Sequence, residues 1–302
     1  MTRFLAAALA ATALLVPAAA ATAAPAQAPA AAAAPTRFTV TVTGSGPDVI
    51  LIPGLSTPRE VWAGTAAALA GKYRLHLVEI GGFGAAPAGP NAAGGILDGT
   101  VAELRRYIAA NRLKKPAIVG HSMGGLIALM LAERAPDSVG RLMIVDALPF
   151  IGTLFDPKAT VESIRPQAEA MRAMMARPAD PEQRRAAAER VAAGLAKTPE
   201  ARALVARWVA ASDPKVSGEA AYEDMITDVR PGLPAIRVPV TVLFAWDAGA
   251  VPLERARVLY TGAYAGAPKL RLEPVEGSYH FLMLDRPEAF EAALRSFLAA
   301  GD

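Results

Sequence analysis

From residue 36 onward, short apolar runs alternate with segments whose apolar residues recur every three to four positions. Val49-Ile50-Leu51-Ile52 is unbroken and of strand length, the pattern of a strand buried on both faces. Similar runs predict strands at 37–42, 73–80, 117–119, 142–145, 240–244 and 269–272, with Gly44-Ser45-Gly46-Pro47 as a turn after the first. Helical spacing predicts helices at 60–70, 100–111, 126–133 and 287–298; Val101, Leu104, Tyr107 and Ile108 mark one face of the second. Strands alternating with helices predict an α/β fold: a mostly parallel central sheet with helices on both faces. One stretch breaks the rhythm. Residues 150–237 carry almost no strand signal but several helical segments, at 161–176, 181–195 and 199–211. Lying between two predicted strands, they must leave the sheet and return, which predicts an inserted helical cap. Met171, Met174 and Met175 share a face of its first helix and Trp208 lies on a later one, either as plain packing or as an adaptable pocket lining.

Composition changes the picture mainly at the N-terminus. The chain has 302 residues, 53% of them apolar, but 19 of the first 35 are Ala and Arg3 is the one charge among them. A basic start, an apolar run from Phe4 to about Val16 and an Ala-Thr-Ala ending at Ala23 read as a secretory signal over 1–23. An uncleaved anchor is the competing reading. The run is dominated by Ala and broken by Pro17, which favours cleavage, export to the periplasm or the medium, and a mature protein without stable membrane insertion. Residues 24–35 read as an Ala/Pro linker, leaving 36–302 as the folded domain with its cap at about 150–237.

Charge narrows the partners. The net charge is +3, and the densest basic cluster, Arg184, Arg185 and Arg190, is interleaved with Glu182 and Glu189, as on a solvated helix face; no nucleic-acid partner is expected. With no Cys and three dispersed His there is no zinc constellation, and no cofactor is expected. Gly81-Gly82-Phe83-Gly84 is not a dinucleotide-binding fingerprint and reads as a flexible loop near a site entrance.

The chemistry gathers at three places. Gly120-His121-Ser122-Met123-Gly124 stands directly after one predicted strand and before a helix, the context of a nucleophile elbow. A serine on so sharp a turn needs tiny neighbours two residues either side, which Gly120 and Gly124 supply. Its hydroxyl needs a base to take the proton. Of the three histidines, His76 lies within a strand and His121 is locked beside the serine, leaving His280, in a loop between the last strand and the final helix. The base needs an acid. Asp247, after the strand at 240–244, is preferred and gives the order Ser122, Asp247, His280; Asp146, at the end of the strand at 142–145, is the rival. Asp285 reads as a helix N-cap with Glu288 completing a capping box. An oxyanion site would use the backbone N–H of Met123 and one from the turn Pro53-Gly54-Leu55-Ser56, assigned to Leu55.

Together, Leu51-Ile52-Pro53-Gly54-Leu55, Gly120-His121-Ser122-Met123-Gly124-Gly125, the strand with Asp247, and Gly277-Ser278-Tyr279-His280-Phe281 resemble the α/β-hydrolase family from about residue 36 to 298. The resemblance places the cap at the family's usual insertion point. Two features depart from it: Pro53-Gly54 stands where members commonly carry His-Gly, and Phe244-Ala245-Trp246 leads into Asp247 in place of Gly-x-x. A serine nucleophile sets the chain apart from the branches that use aspartate. The expected activity is cleavage of an ester or related acyl bond in a small-molecule substrate, through an acyl-enzyme. The alternatives are the same triad acting on lactone, peptide or C–C bonds, or a ligand-binding member without turnover.

Overall fold

The computed structural model describes residues 34–177 and 179–300, so the expected signal and nearly all of the expected linker lie outside the described residues. The strands are β1 (Phe38–Thr43), β2 (Asp48–Ile52), β3 (Arg74–Ile80), β4 (Ala117–His121), β5 (Arg141–Val145), β6 (Val240–Trp246) and β7 (Leu270–Glu276). Among the described residues they form one seven-stranded sheet in the order β1-β3-β2-β4-β5-β6-β7, with β1 antiparallel to β3 and every other pairing parallel. The continuous apolar run in β2 is explained by two cores. Ile50 and Ile52 enter one with Val78, Ile118 and Ile144; Val49 and Leu51 enter the other with Leu75, Val119 and Val145. A strand covered on both sides has no polar face to show.

Helices α1 (Ala63–Leu69), preceded by a 3₁₀ turn at Arg59–Trp62, α2 (Ile96–Ala110) and α3 (Met123–Arg134) connect β2 through β5. Between β5 and β6 lie α4 (Val161–Met175), α5 (Pro181–Leu195), α6 (Pro199–Ala211) and α7 (Pro214–Ile226). Helix α8 (Leu253–Ala263) joins β6 to β7, and α9 (Leu282–Asp285) and α10 (Pro287–Ala299) follow β7. The four inserted helices have local start signals. Thr160, Asp180, Thr198 and Asp213 each accept a backbone N–H in the first turn of the helix that follows, and the last three precede a proline at the first helical position.

Helix α7 seats the insertion on the sheet's loops. Asp213 N–H donates to the Gly82 carbonyl at 2.8 Å, the Gly84 N–H to Ser212 Oγ at 2.8 Å, and the Ser56 hydroxyl to Ser217 Oγ at 2.8 Å. A Cβ on Gly82 would stand 2.6 Å from Val216 Cγ1, and Phe83 is fully buried. The glycine run expected as a loose entrance loop is thus the ledge on which α7 rests. Of the three methionines, Met171 packs with Phe150, Ile164 and Met225 in a small core of its own, while Met174 is 56% exposed, an arrangement of packing more than of pocket lining. Among the described residues no helix is long and apolar enough to cross a membrane.

Candidate active site

Ser122 stands between β4 and α3 with φ 54° and ψ −127°, a conformation L-residues rarely adopt. The turn holds it there. Its N–H donates to the Val145 carbonyl at 3.0 Å, and its own carbonyl accepts from Gly125 at 2.7 Å and Leu126 at 3.2 Å. The glycines around it are required by contact: a Cβ on Gly120 would strike the Gly124 carbonyl, one on Gly124 the Ile52 and Pro53 carbonyls, and one on Gly125 would lie 2.8 Å from Ala147 Cβ. The oxyanion turn approaches as closely. A Cβ on Gly54 would lie 2.9 Å from Ser122 Cβ and 3.0 Å from His121 Nδ1. Ser56 next to it is buried with φ 53°. No hydrogen bond from the Leu55 or Met123 backbone N–H to another described group is present, so both expected oxyanion donors are available.

The acid beside His280 is Asp146. His280 Nδ1 donates to Asp146 Oδ2 at 2.7 Å, while Asp146 Oδ1 accepts from the Ala245 N–H at 2.8 Å and the Tyr260 hydroxyl at 3.0 Å. Three donors on one carboxylate fix its orientation. Asp146 itself has φ 49°. The expectation that Asp247 would hold His280 is corrected by its surroundings. Its Oδ2 accepts from Lys197 Nζ at 2.5 Å and its Oδ1 from the Gly249 N–H at 3.0 Å, closing its own turn against Val251; the Lys197 ammonium keeps its carboxyl below the usual range. The physical reason is register. Val145 pairs with Leu243, so Asp146 is level with Phe244, and β6 runs on to Trp246 before Asp247. Asp247 therefore overshoots by three residues, roughly 10 Å of extended chain.

His280 reaches this place through two supports that spacing alone does not reveal. The first is His121. Its Nε2 lies 3.0 Å from the His280 carbonyl, and the two rings are 4.6 Å apart. A carbonyl only accepts, so Nε2 carries the proton and the buried Nδ1 is left without a partner. Burial, with the His280 charge beside it, pushes the His121 pKa well below the usual range and keeps the ring neutral. The second support is Asp285. It is not the expected helix cap: Arg286 occupies the N-cap of α10 and makes no side-chain cap. The buried Asp285 carboxylate instead accepts from Tyr279 N–H at 2.9 Å, Lys197 N–H at 2.9 and 3.0 Å and Thr198 N–H at 3.1 Å, tying the histidine loop to the start of α6. An acidic residue five positions after the histidine is the one sequence signal for it. The remaining histidine, His76, is structural, bridging Asp48 at 2.9 Å and the Tyr107 hydroxyl at 2.7 Å.

Ser122 Oγ and His280 Nε2 make no hydrogen bond to each other in this structure. They are neighbours through their supports: Ser122 N–H bonds the residue before Asp146, and the ring preceding Ser122 lies tilted against His280. Catalytic serine–histidine bonds are often long in unliganded sites and tighten on substrate. Among the described residues no group of His, Asp or Glu could hold a metal ion.

Comparison with known proteins agrees with this fold. A family model described as alpha/beta hydrolase fold matches residues 47–287. The chain is 26% identical over 268 residues to N-formylmaleamate deformylase of Pseudomonas putida, covering 84% of this chain and 90% of that one. It is 35% identical over 106 residues to the pimeloyl-[acyl-carrier protein] methyl ester esterase of Aeromonas hydrophila, a match spanning 35% of this chain and 40% of the esterase. Among solved structures, the enol-lactonase of Burkholderia xenovorans superposes with a TM-score of 0.70 at 21% identity, over 88% of this chain and 97% of that one. The esterase of Exiguobacterium antarcticum gives 0.71 at 22% identity, over 88% and 96%. With a matching family model that spans β2 to β7, the elbow and the histidine loop, the chain belongs to the α/β-hydrolase fold family.

Proposed function

We propose that the protein is an exported serine hydrolase that cleaves an ester or related acyl bond in a small-molecule substrate, with Ser122 as nucleophile, His280 as base and Asp146 as the acid that orients it. The observation that carries this is the 2.7 Å bond from His280 Nδ1 to a carboxylate already fixed by two further donors, beside a serine on a strained strand-to-helix turn. Asp146 sets the tautomer, leaving Nε2 free to take the Ser122 proton as Oγ attacks the acyl carbon. The negative charge that develops on the carbonyl oxygen is met by the Leu55 and Met123 N–H groups and by the N-terminus of α3. His280 then returns its proton to the leaving alcohol, and a water activated by the same ring releases the acid. The relatives named as a methyl ester esterase and a deformylase are consistent with acyl chemistry. Export rests on the pattern of residues 1–23.

The test is turnover of p-nitrophenyl esters of increasing acyl length by the mature protein, with Ser122→Ala as control. Turnover that Ser122→Ala abolishes supports the reading; none in the wild type, or equal rates in both, overturns it. N-terminal sequencing of protein recovered outside the cytoplasm should begin at Ala24; a chain retained in the cytoplasm with its first residues intact contradicts export.

A further inference from the structure

One carboxylate near the site is used by none of this. Asp224 lies in α7, the helix that seats the insertion on the sheet. Its neighbours on that helix are spoken for. Ser217 bonds Ser56 beside the oxyanion turn; Glu219 pairs with Arg172 of α4; Tyr222 accepts from Arg165; Glu223 receives the N–H groups of Ile96 and Leu97 at the start of α2. Ser217, Ala221 and Asp224 are spaced i, i+4, i+7, which stacks them along one stripe of a helix over about 10 Å. The stripe that touches the oxyanion turn at Ser217 therefore carries Asp224 two turns further on. Asp224 is half-buried and has no hydrogen bond or ion pair with another described residue. Its carboxyl feels His280, whose Nδ1 is already held by Asp146.

From this placement we propose that Asp224 is a specificity-determining residue of the site, and that it binds a cationic, ammonium-bearing part of the substrate. The inference rests on the hydrolase reading above and deepens it by naming the substrate class. A half-buried carboxylate without a partner is costly in the empty protein and is relieved by a cation brought in by a ligand. Its state agrees: burial pushes its carboxyl up to about 7, with the His280 charge pulling the other way, so an arriving cation would complete its ionisation. The same group disfavours substrates that carry a carboxylate at that point, through like-charge repulsion.

The test compares isosteres. Butyrylcholine and 3,3-dimethylbutyl butyrate differ on the alcohol side by one charge; p-nitrophenyl 6-aminohexanoate and p-nitrophenyl heptanoate do so on the acyl side. At pH 8 the wild type should prefer the cationic member of at least one pair. Asp224→Asn should shrink that kcat/KM ratio by about tenfold or more, whatever happens to the absolute rates. A ratio near one in the wild type for both pairs, or a ratio unchanged by Asp224→Asn, overturns the proposal. A parallel arm in Ser122→Ala protein reads binding of the four esters by calorimetry without turnover. There the cationic ester should bind more tightly, and the double variant with Asp224→Asn should lose the difference; equal binding overturns the proposal. Loss of turnover in every protein with this binding difference intact would refute the hydrolase reading and leave the Asp224 site standing.

Discussion

Replacing Asp146 by asparagine separates the two aspartates, because the surrounding donors dictate how the new amide must lie. One carboxylate oxygen faces the Ala245 N–H at 2.8 Å and the Tyr260 hydroxyl at 3.0 Å; the other faces His280 Nδ1 at 2.7 Å. The Tyr260 hydroxyl can turn its proton away, but the Ala245 amide cannot. The asparagine oxygen is therefore held toward Ala245, and its NH₂ points at His280. The imidazole must then accept at Nδ1 and carry its proton at Nε2, which leaves it unable to take the Ser122 proton. The loss expected for a wrong tautomer in an otherwise intact triad is about 10⁴-fold in kcat, or about 5.5 kcal/mol of barrier. Asp247→Asn removes the charge that faces the Lys197 ammonium, leaves the Lys197 N–H on Asp285, and touches neither His280 nor Asp146, so kcat should stay essentially unchanged. The assay is steady-state hydrolysis of p-nitrophenyl butyrate by both variants, with circular dichroism to show that both are folded. A collapse in Asp247→Asn with Asp146→Asn still active would refute the argument, as would equal losses in both.

Three further outcomes follow from the supports of the site. His121→Phe removes the donor to the His280 carbonyl, so kcat should fall more than KM rises, at a stability cost of about 1–3 kcal/mol in chemical denaturation. His121 is held neutral when folded yet titrates normally when unfolded; the unfolded chain then binds the extra proton, wild-type stability is lost as pH falls below about 6.5, and the variant should lack that contribution. Asp285→Ala leaves the N–H groups of Tyr279, Lys197 and Thr198 without their acceptor, and should lower the melting temperature and the rate together; an unchanged melting temperature contradicts the tie drawn between the histidine loop and α6. For Asp224 the sign reverses: with its carboxyl raised to about 7 when folded, the folded chain holds the proton longer, so stability falls as pH rises from about 4 to 7. Relative to wild type, Asp224→Asn should gain stability over that window, and parallel pH profiles for the two proteins would contradict the assignment.

How much of this could be read in the chain depended on whether a signal was local. All seven strands and three of the four inserted helices were legible: the inner strands, covered on both faces, give unbroken apolar runs, β1 is rich in β-branched residues, and Asp180-Pro181 and Thr198-Pro199 announce two of the helix starts. Helix α7 was not, although Asp213-Pro214 opens it. It packs against α4, α2 and the glycine ledge at once, and apart from Val216 and Met225 its buried positions, Ser217, Gly218, Ala220 and Ala221, are small or polar, so no clean apolar stripe remains. Ser122 and His280 could be singled out because the elbow's glycines and the scarcity of histidine are properties of the sequence. The acid could not. Asp146 and Asp247 both follow strands, both keep the order serine, acid, histidine, and differ in how far past the Val145–Leu243 pair each stands. That is a fact of register between strands almost a hundred residues apart. The departure from Gly-x-x-Asp at Phe244-Ala245-Trp246 was the one trace of it, since a longer β6 carries Asp247 beyond reach of the histidine.

Activation of Ser122 by His280 and Asp146 can be read by intact-protein mass spectrometry after treatment with a fluorophosphonate. A single adduct should form that maps to Ser122, is absent in Ser122→Ala, forms far more slowly in Asp146→Asn and forms at the wild-type rate in Asp247→Asn. No adduct on the wild type, an adduct that persists in Ser122→Ala, or slow labelling in Asp247→Asn with normal labelling in Asp146→Asn would contradict it.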